Sequence, residues 1–470
     1  LSLYKRDNFM ALKRITQETH NLVNSALNSI VLPDDQSFPS EFKDVLNFQG
    51  KKSPVLAKKM ISALTKETDI VLDPFFGSGA FVLASREAER KVLGIELDNY
   101  TFGSLKMLLS KYDEEKLLNY FENVKKSSKE YVMDLYETYC CGQRNYISKL
   151  HFDPLPQEYY NPRKHRDIKE GRNIKLGIKC PICKRNDKKF DEYDEEKINE
   201  ANRIDTERFP NHCFIENSRI NITSSTGADK YGTNFTNRAK ASLLKIQDSI
   251  NSLPDSIERD ILEYALVYSI ALAKIAMYGS GTDNLYHVIQ YTAQEMNVWL
   301  LFEKKFNNIL KYKEKFSFAL QDNFNSNQPI TLINSDYKKF LEEYDGKFDV
   351  IYTDPPYTDQ CPYLEKSQYF RDWLKKFYNS NYELTSQMLV DELVVSDAPS
   401  RREKNFDAYY QDIDKMLRVF SKKTKDTGLL VFTLKLGQEK YFTTFIKFIN
   451  YARKAGYEFV SASSIDNADP

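Results

Sequence analysis

The run Asp349-Val-Ile-Tyr-Thr-Asp354-Pro355-Pro356-Tyr357 holds the side chains best suited to chemistry in this 470-residue chain. Its apolar start reads as a buried strand. Its end sets a carboxylate and an aromatic ring at the tip of a rigid turn. Two consecutive prolines fix φ and remove two backbone donors, so the turn presents acceptors, the Asp354 carboxylate and the Pro355 carbonyl, in a fixed geometry. A second run, Val71-Leu-Asp73-Pro74-Phe75-Phe-Gly77-Ser-Gly79, also leads an apolar strand into a turn. Gly77 and Gly79 let the backbone approach a ligand closely, and the helix that follows offers free N–H groups at its N-terminus. About twenty residues on, Glu96 ends the next strand, where an acid in a Rossmann-like sheet accepts hydrogen bonds from ribose hydroxyls. Glycine turn and acid together describe a nucleoside-containing cofactor, without saying which.

The elements that must position these residues follow a strand–helix rhythm. Residues 55–64 have helical spacing, 70–73 form a short strand, 80–89 a helix, 91–96 a second strand and 100–111 another helix. That rhythm argues for a parallel sheet flanked by helices. It stops for roughly 215 residues, then resumes with strands at 330–333, 348–352 and 429–434, a helix at 438–454 and a last strand near 458–462. The halves complete one sheet pattern, so the fold class is α/β: one domain split by a large insertion. Within the insertion, 236–250, 257–277 and 295–318 read as helices and 139–190 as irregular and basic. The apolar 257–277 stretch has charges near its start, which suits a buried core helix better than a membrane span.

Composition sets the broad class. Hydrophobic content of 41% fits a globular protein. Lys plus Arg (67) equals Asp plus Glu (67), so a nucleic-acid surface must be local rather than global. There is no apolar run near 18 residues and no signal peptide, which points to a cytoplasmic protein with no membrane partner. The first residue is Leu1 rather than Met, so the natural N-terminus is expected to lie upstream. With six cysteines in this length, a Cys-x-x-Cys reads as a metal knuckle in a reducing compartment.

The paired motifs resemble those of amino-group DNA methyltransferases, the enzymes that modify N6 of adenine or N4 of cytosine. Asp73-Pro-Phe-Phe-Gly-Ser-Gly79 is similar to their S-adenosylmethionine motif, although Ala80 stands where the family often has Thr. Glu96 matches their ribose acid, and Asp336, in Asn334-Ser-Asp, matches the acid near the adenine amine. Gln49-Gly-Lys-Lys52-Ser-Pro54 looks like the segment that closes over the methionine end of the cofactor. Asp354-Pro-Pro-Tyr357 matches the catalytic tetrapeptide. The resemblance implies a Rossmann-like, class I S-adenosylmethionine-dependent methyltransferase sheet. Its cofactor-binding residues would be Lys52, Pro54, Asp73, Pro74, Phe75, Gly77, Gly79, Glu96, Asp336 and Asp354. Its catalytic residues would be Asp354, Pro355, Pro356 and Tyr357. Residues 1–112 would be the first half of the methyltransferase domain, 113–329 an inserted module that recognises DNA, and 330–470 the second half.

In that family the carboxylate and the proline carbonyl accept both N–H bonds of an exocyclic amine, making its nitrogen more tetrahedral and nucleophilic. The tyrosine stacks on a base flipped from the duplex. Asp in the tetrapeptide favours adenine N6, so the resemblance implies double-stranded DNA as partner. The setting it implies is a prokaryotic restriction-modification or phage-defence system with a cognate restriction or defence subunit. Other readings stay open: a cytosine-N4 enzyme, an RNA guanine-N2 enzyme, or a non-catalytic DNA-binding subunit with the same fold.

Cys140, Cys141, Cys180 and Cys183 form a candidate four-thiolate zinc site. The second pair has knuckle spacing, whereas the adjacent first pair can share an ion only with backbone strain. Residues 163–189 contain eleven Lys or Arg against three acids, a local excess of eight that suits phosphate contact. Candidate DNA contacts are Arg163, Lys164, Arg166, Lys184, Arg185 and, after the stretch that starts at Lys230, Arg238. These cysteines and that stretch resemble a zinc-ribbon-containing subgroup of adenine-specific DNA methylases.

Overall fold

In the computed structural model, residues 16–30, 37–46, 48–152, 175–215, 230–277, 293–357, 361–396, 398–434 and 439–462 are described. Five strands form the central sheet: β1 (Ile70–Asp73), β2 (Lys91–Glu96), β3 (Ile330–Asn334), β4 (Phe348–Thr353) and β5 (Thr424–Phe432). Their spatial order is β3-β2-β1-β4-β5, and every pairing is parallel. Chain order reverses between β1 and β4, the switch point at which open α/β sheets leave a crevice outside their strand ends.

The strands bury both faces, as parallel strands under helices must. Val71, Val92, Ile330, Leu332 and Val350 face one core, and Leu72, Leu93, Ile95 and Ile351 face the other. The first core is roofed by α1 (Pro54–Leu64), α2 (Ala80–Glu87) and α3 (Asn99–Leu109). The second lies under Tyr337–Glu343, Phe406–Lys423 and Glu439–Lys454. Polar caps start several of these helices: Ser53 accepts from Leu56 N at α1, and Asp98 accepts from Thr101 N at α3. Each satisfies a backbone donor that the first turn leaves unpaired.

The segment between β2 and β3 is mainly helical. Its helices Asn237–Asn251, Ile257–Ala273 and Val298–Lys315 extend the first core, and Ile257–Ala273 is buried along almost its whole length. Residues 139–190, read above as irregular, instead contribute regular strands. Glu137–Cys140 and Gln143–Tyr146 form a hairpin. Lys149–Phe152, Lys175–Gly177 and Asp187–Lys189 join Ala276–Met277 and Ala293–Met296 in a second, antiparallel sheet. The strand expected near 458–462 is absent: these described residues are irregular and follow the terminal helix. Among the described residues, no helix is long and apolar enough to cross a membrane.

Candidate active site

Parallel pairing of β1 with β4 brings the two motifs together. Val71 sits beside Val350 and Leu72 beside Ile351, so Asp73 and Asp354 leave neighbouring strand ends. The contact is direct: Thr353 Oγ1 donates to Asp73 Oδ1 over 3.2 Å, across 280 residues of chain. Asp73 also accepts from Phe75 N and bends the turn back on itself. Burial pushes its carboxyl well above the usual range, and Oδ2 has no hydrogen-bond partner among the described residues.

The glycine turn then opens α2. Gly79 is its N-cap with φ +81°, and a Cβ there would come within 2.5 Å of Leu105; at Gly77 (φ +48°) it would meet the Phe48 ring at 2.7 Å. Only glycine fits both places. The Gly77 N–H donates to Glu96 Oε2 at 3.0 Å, and Asp98 N donates to Oε1 at 2.9 Å. Burial raises the Glu96 carboxyl to about 7.

A cleft of about 900 Å³, partly open to solvent, lies over these strand ends. Of the residues expected from sequence, Lys52, Pro74, Phe75, Gly77, Glu96, Asp336, Asp354 and Pro356 line it. Asp73 and Gly79 are buried beneath, and Pro54 begins α1 behind Lys52. Asp336 caps its own helix through Lys339 N and is raised first by burial and then by the like charge of Asp391.

At the far end Asp354 is held on both oxygens. Oδ1 accepts from the Tyr357 hydroxyl at 2.5 Å and from the Thr433 hydroxyl, while Oδ2 faces Lys52 Nζ at 3.1 Å. Tyr409 donates to the Pro356 carbonyl at 2.8 Å, clamping the proline turn. Burial, followed by the Asp354 charge, pushes the Tyr357 phenol well above its ordinary value, so the ring stays neutral. The arrangement can grip an amine beside a ring at one end and a nucleoside along the other.

Several of these supports were not foreseen. Thr433 directly follows β5, so its place at a strand end was a signal that could have been used. The wall formed by Leu364 and Asp391-Glu392-Leu393 has no motif. It is anchored internally: Arg401 pairs with Glu365 and Glu392 at 3.0 and 2.8 Å, and Leu364 N donates to Glu392. Arg371 joins this wall to the cofactor side, bonding Asp98 at 2.8 Å and the Leu364 carbonyl.

The four cysteines converge. Their sulfurs lie within 4.8 Å of one another, with Cys140–Cys141 at 3.9 Å and Cys140–Cys183 at 3.7 Å. Zinc–sulfur bonds of about 2.3 Å in a tetrahedron put sulfurs about 3.8 Å apart, so the donor set fits that ion. The adjacent pair manages this through a strained Cys141 backbone at φ +53°, followed by Gly142, which takes φ +70° freely.

The candidate DNA contacts divide. Lys184 and Arg185 are exposed on the Cys180–Cys183 knuckle, and Arg163, Lys164 and Arg166 lie outside the described residues. Arg238 is corrected: it is 3% exposed, and its guanidinium forms two 2.9 Å bonds to Glu295 and lies 4.5 Å from the centre of the Tyr136 ring. No phosphate reaches it.

Residues 31–107 match the family model described as DNA methylase, of the N6/N4 type. The type II methyltransferase M.MjaII of Methanocaldococcus jannaschii is 22% identical over 378 residues, 74% of this chain and 63% of that protein. The type II methyltransferase M.HindIII of Haemophilus influenzae is 50% identical over 44 residues, 9% of this chain and 14% of that protein. The chain thus spans less than two thirds of the length of the curated relatives it matches. No solved structure matches it. The segment that matches the DNA methylase model supplies one wall of the cleft, and Asp354 and Pro356 of the tetrapeptide line another.

Proposed function

We propose that this protein is an S-adenosylmethionine-dependent DNA methyltransferase that modifies N6 of an adenine flipped from the duplex, within a restriction-modification or defence system. The observation that carries this reading is the one cleft lined by Gly77 and Glu96 on one side and by Asp354 and Pro356 on the other. The cofactor would supply the methyl group as a sulfonium. Glu96 would hold its ribose, Asp336 its adenine amine and Gly77 the close backbone approach. Asp354 and the Pro355 carbonyl would accept the two N–H bonds of the target amine, with Tyr357 stacked on the base. The methylated nitrogen loses its proton to solvent, so no strong base is required. Lys184 and Arg185 would contact phosphates, and the four cysteines would hold a structural zinc.

Transfer of labelled methyl from the cofactor to unmethylated duplex DNA tests this reading, with hydrolysis to nucleosides to identify the product. N6-methyladenine is expected. N4-methylcytosine would move the target base, and labelling of tRNA alone would overturn the reading.

Glu96 gives a pH signature. Ribose hydroxyls donate best to an ionised carboxylate, and burial raises this group to about 7. Cofactor affinity should therefore rise through neutrality and be about tenfold weaker one pH unit below that value. Calorimetric titration with S-adenosylhomocysteine across this range measures it, and a flat profile would remove Glu96 from the ribose site. Elemental analysis should find about one zinc per chain, lost in Cys180→Ser. A zinc-free wild-type protein purified with metal supplied would refute the zinc assignment.

A further inference from the structure

Asp354 offers two oxygens, and they are occupied differently. Oδ1 is saturated by the Tyr357 and Thr433 hydroxyls, which orient the carboxylate and leave it no room for another donor. Oδ2 is the oxygen left to receive an amine, and Lys52 Nζ already stands there at 3.1 Å. The same ammonium lies 5.1 Å from the centre of the Tyr357 ring, within cation–π range. A nitrogen bearing N–H donors thus sits at the acceptor and beside the ring that the target amine would use.

We propose that Lys52 is a place-holder for the target amine: its ammonium fills the amine subsite of the free protein, keeps Asp354 and Tyr357 aligned, and is displaced when the base enters. The inference rests on the reading of Asp354 as the amine acceptor. Displacement is feasible because the pair is not deeply buried: the two side chains are 27% and 20% exposed, and such ion pairs exchange readily with solvent and competitors. Lys52 also sits two residues before α1, on the segment that lines the cofactor cleft. Its release therefore connects the two ends of the cleft. Lys52 acts here as a positioning residue, not as a base or a nucleophile.

Two measurements test it. In cofactor-free protein, brief acetylation with acetic anhydride, mapped by mass spectrometry, should label Lys52 severalfold more slowly than the exposed Lys66. Asp354→Asn should bring the Lys52 rate up toward that of Lys66, because the amide carries no charge to hold it. Labelling of Lys52 as fast as Lys66 in the wild type, or no change in Asp354→Asn, overturns the proposal. In steady-state methylation of mixed-sequence unmethylated DNA, Lys52→Met should lower KM for DNA severalfold, since nothing then competes for the subsite. A merely structural lysine would leave KM unchanged or raise it, and either result overturns the proposal. If the wild type methylates no nucleic acid, the proposed function fails, while the acetylation rates still decide whether Lys52 fills the subsite.

Discussion

Asp354→Ala should lower the rate of methyl transfer by about 10²–10³-fold while cofactor affinity changes only a few-fold. The asymmetry follows from where charge develops. An exocyclic amine is neutral in the ground state and becomes cationic as the new N–C bond forms. A carboxylate at its N–H therefore binds the transition state more tightly than the substrate, and the loss falls on kcat. The local geometry supports this assignment: the Tyr357 and Thr433 hydroxyls donate to Oδ1 and hold the carboxylate before any substrate arrives. Asp354→Asn should retain the shape but not the charge, and fall between the wild type and Ala. Single-turnover rates with calorimetric cofactor binding separate the two effects. An Ala variant that transfers methyl at the wild-type rate would take Asp354 out of the chemistry.

Arg238→Met should destabilise the protein by about 3–5 kcal/mol, because it leaves the Glu295 carboxylate buried without its partner. Both side chains are 3% exposed and joined by two 2.9 Å bonds. The pair ties helix Asn237–Asn251 to strand Ala293–Met296, so it fastens that helix to the second sheet. Restoring neutrality with Glu295→Met in the same chain should recover most of the loss, as replacement of a whole buried pair is often tolerated. Denaturant midpoints of the two single variants and the double variant form the required cycle. The salt dependence of DNA binding should not change in Arg238→Met, whereas removing Lys184 or Arg185, the proposed phosphate contacts, should reduce the slope by about one. A stable Arg238→Met with weakened DNA binding would return this residue to the surface.

The candidate site was largely legible from the sequence, for a local reason. β1 and β2 have the bounds that their apolar runs and flanking turns indicate, Ile70–Asp73 and Lys91–Glu96. A left-handed glycine, a proline pair and a strand-end acid are each set by neighbouring residues, so they are readable one motif at a time. The polar strands between 137 and 189 were not readable in this way. Glu137-Thr-Tyr-Cys140, Gln143-Arg-Asn-Tyr146 and Asp187-Lys-Lys189 have no apolar alternation, and they become strands by pairing with partners rather than by pattern. Arg238 was misplaced for a related reason. A lone arginine in sequence defaults to the surface, and its carboxylate lies 57 residues away. Arg371 and Arg401 went unremarked because Asp98 and Glu365 reach them only through the folded chain.

By itself, the sequence determined the two strand-ended turns, the residue types at their tips and the α/β rhythm around them. Backbone sterics and hydrophobic period act over a few residues, which is why these were readable. Tertiary structure decided what the turns face. Pairing of β1 with β4 across 280 residues makes one cleft from two motifs, and the buried arginine network builds the wall that has no motif. The φ of Cys141 lets adjacent thiols converge. The fold also sets the Lys52 ammonium on the second Asp354 oxygen. These are consequences of burial and long-range pairing, which become favourable only once the whole chain has closed around them.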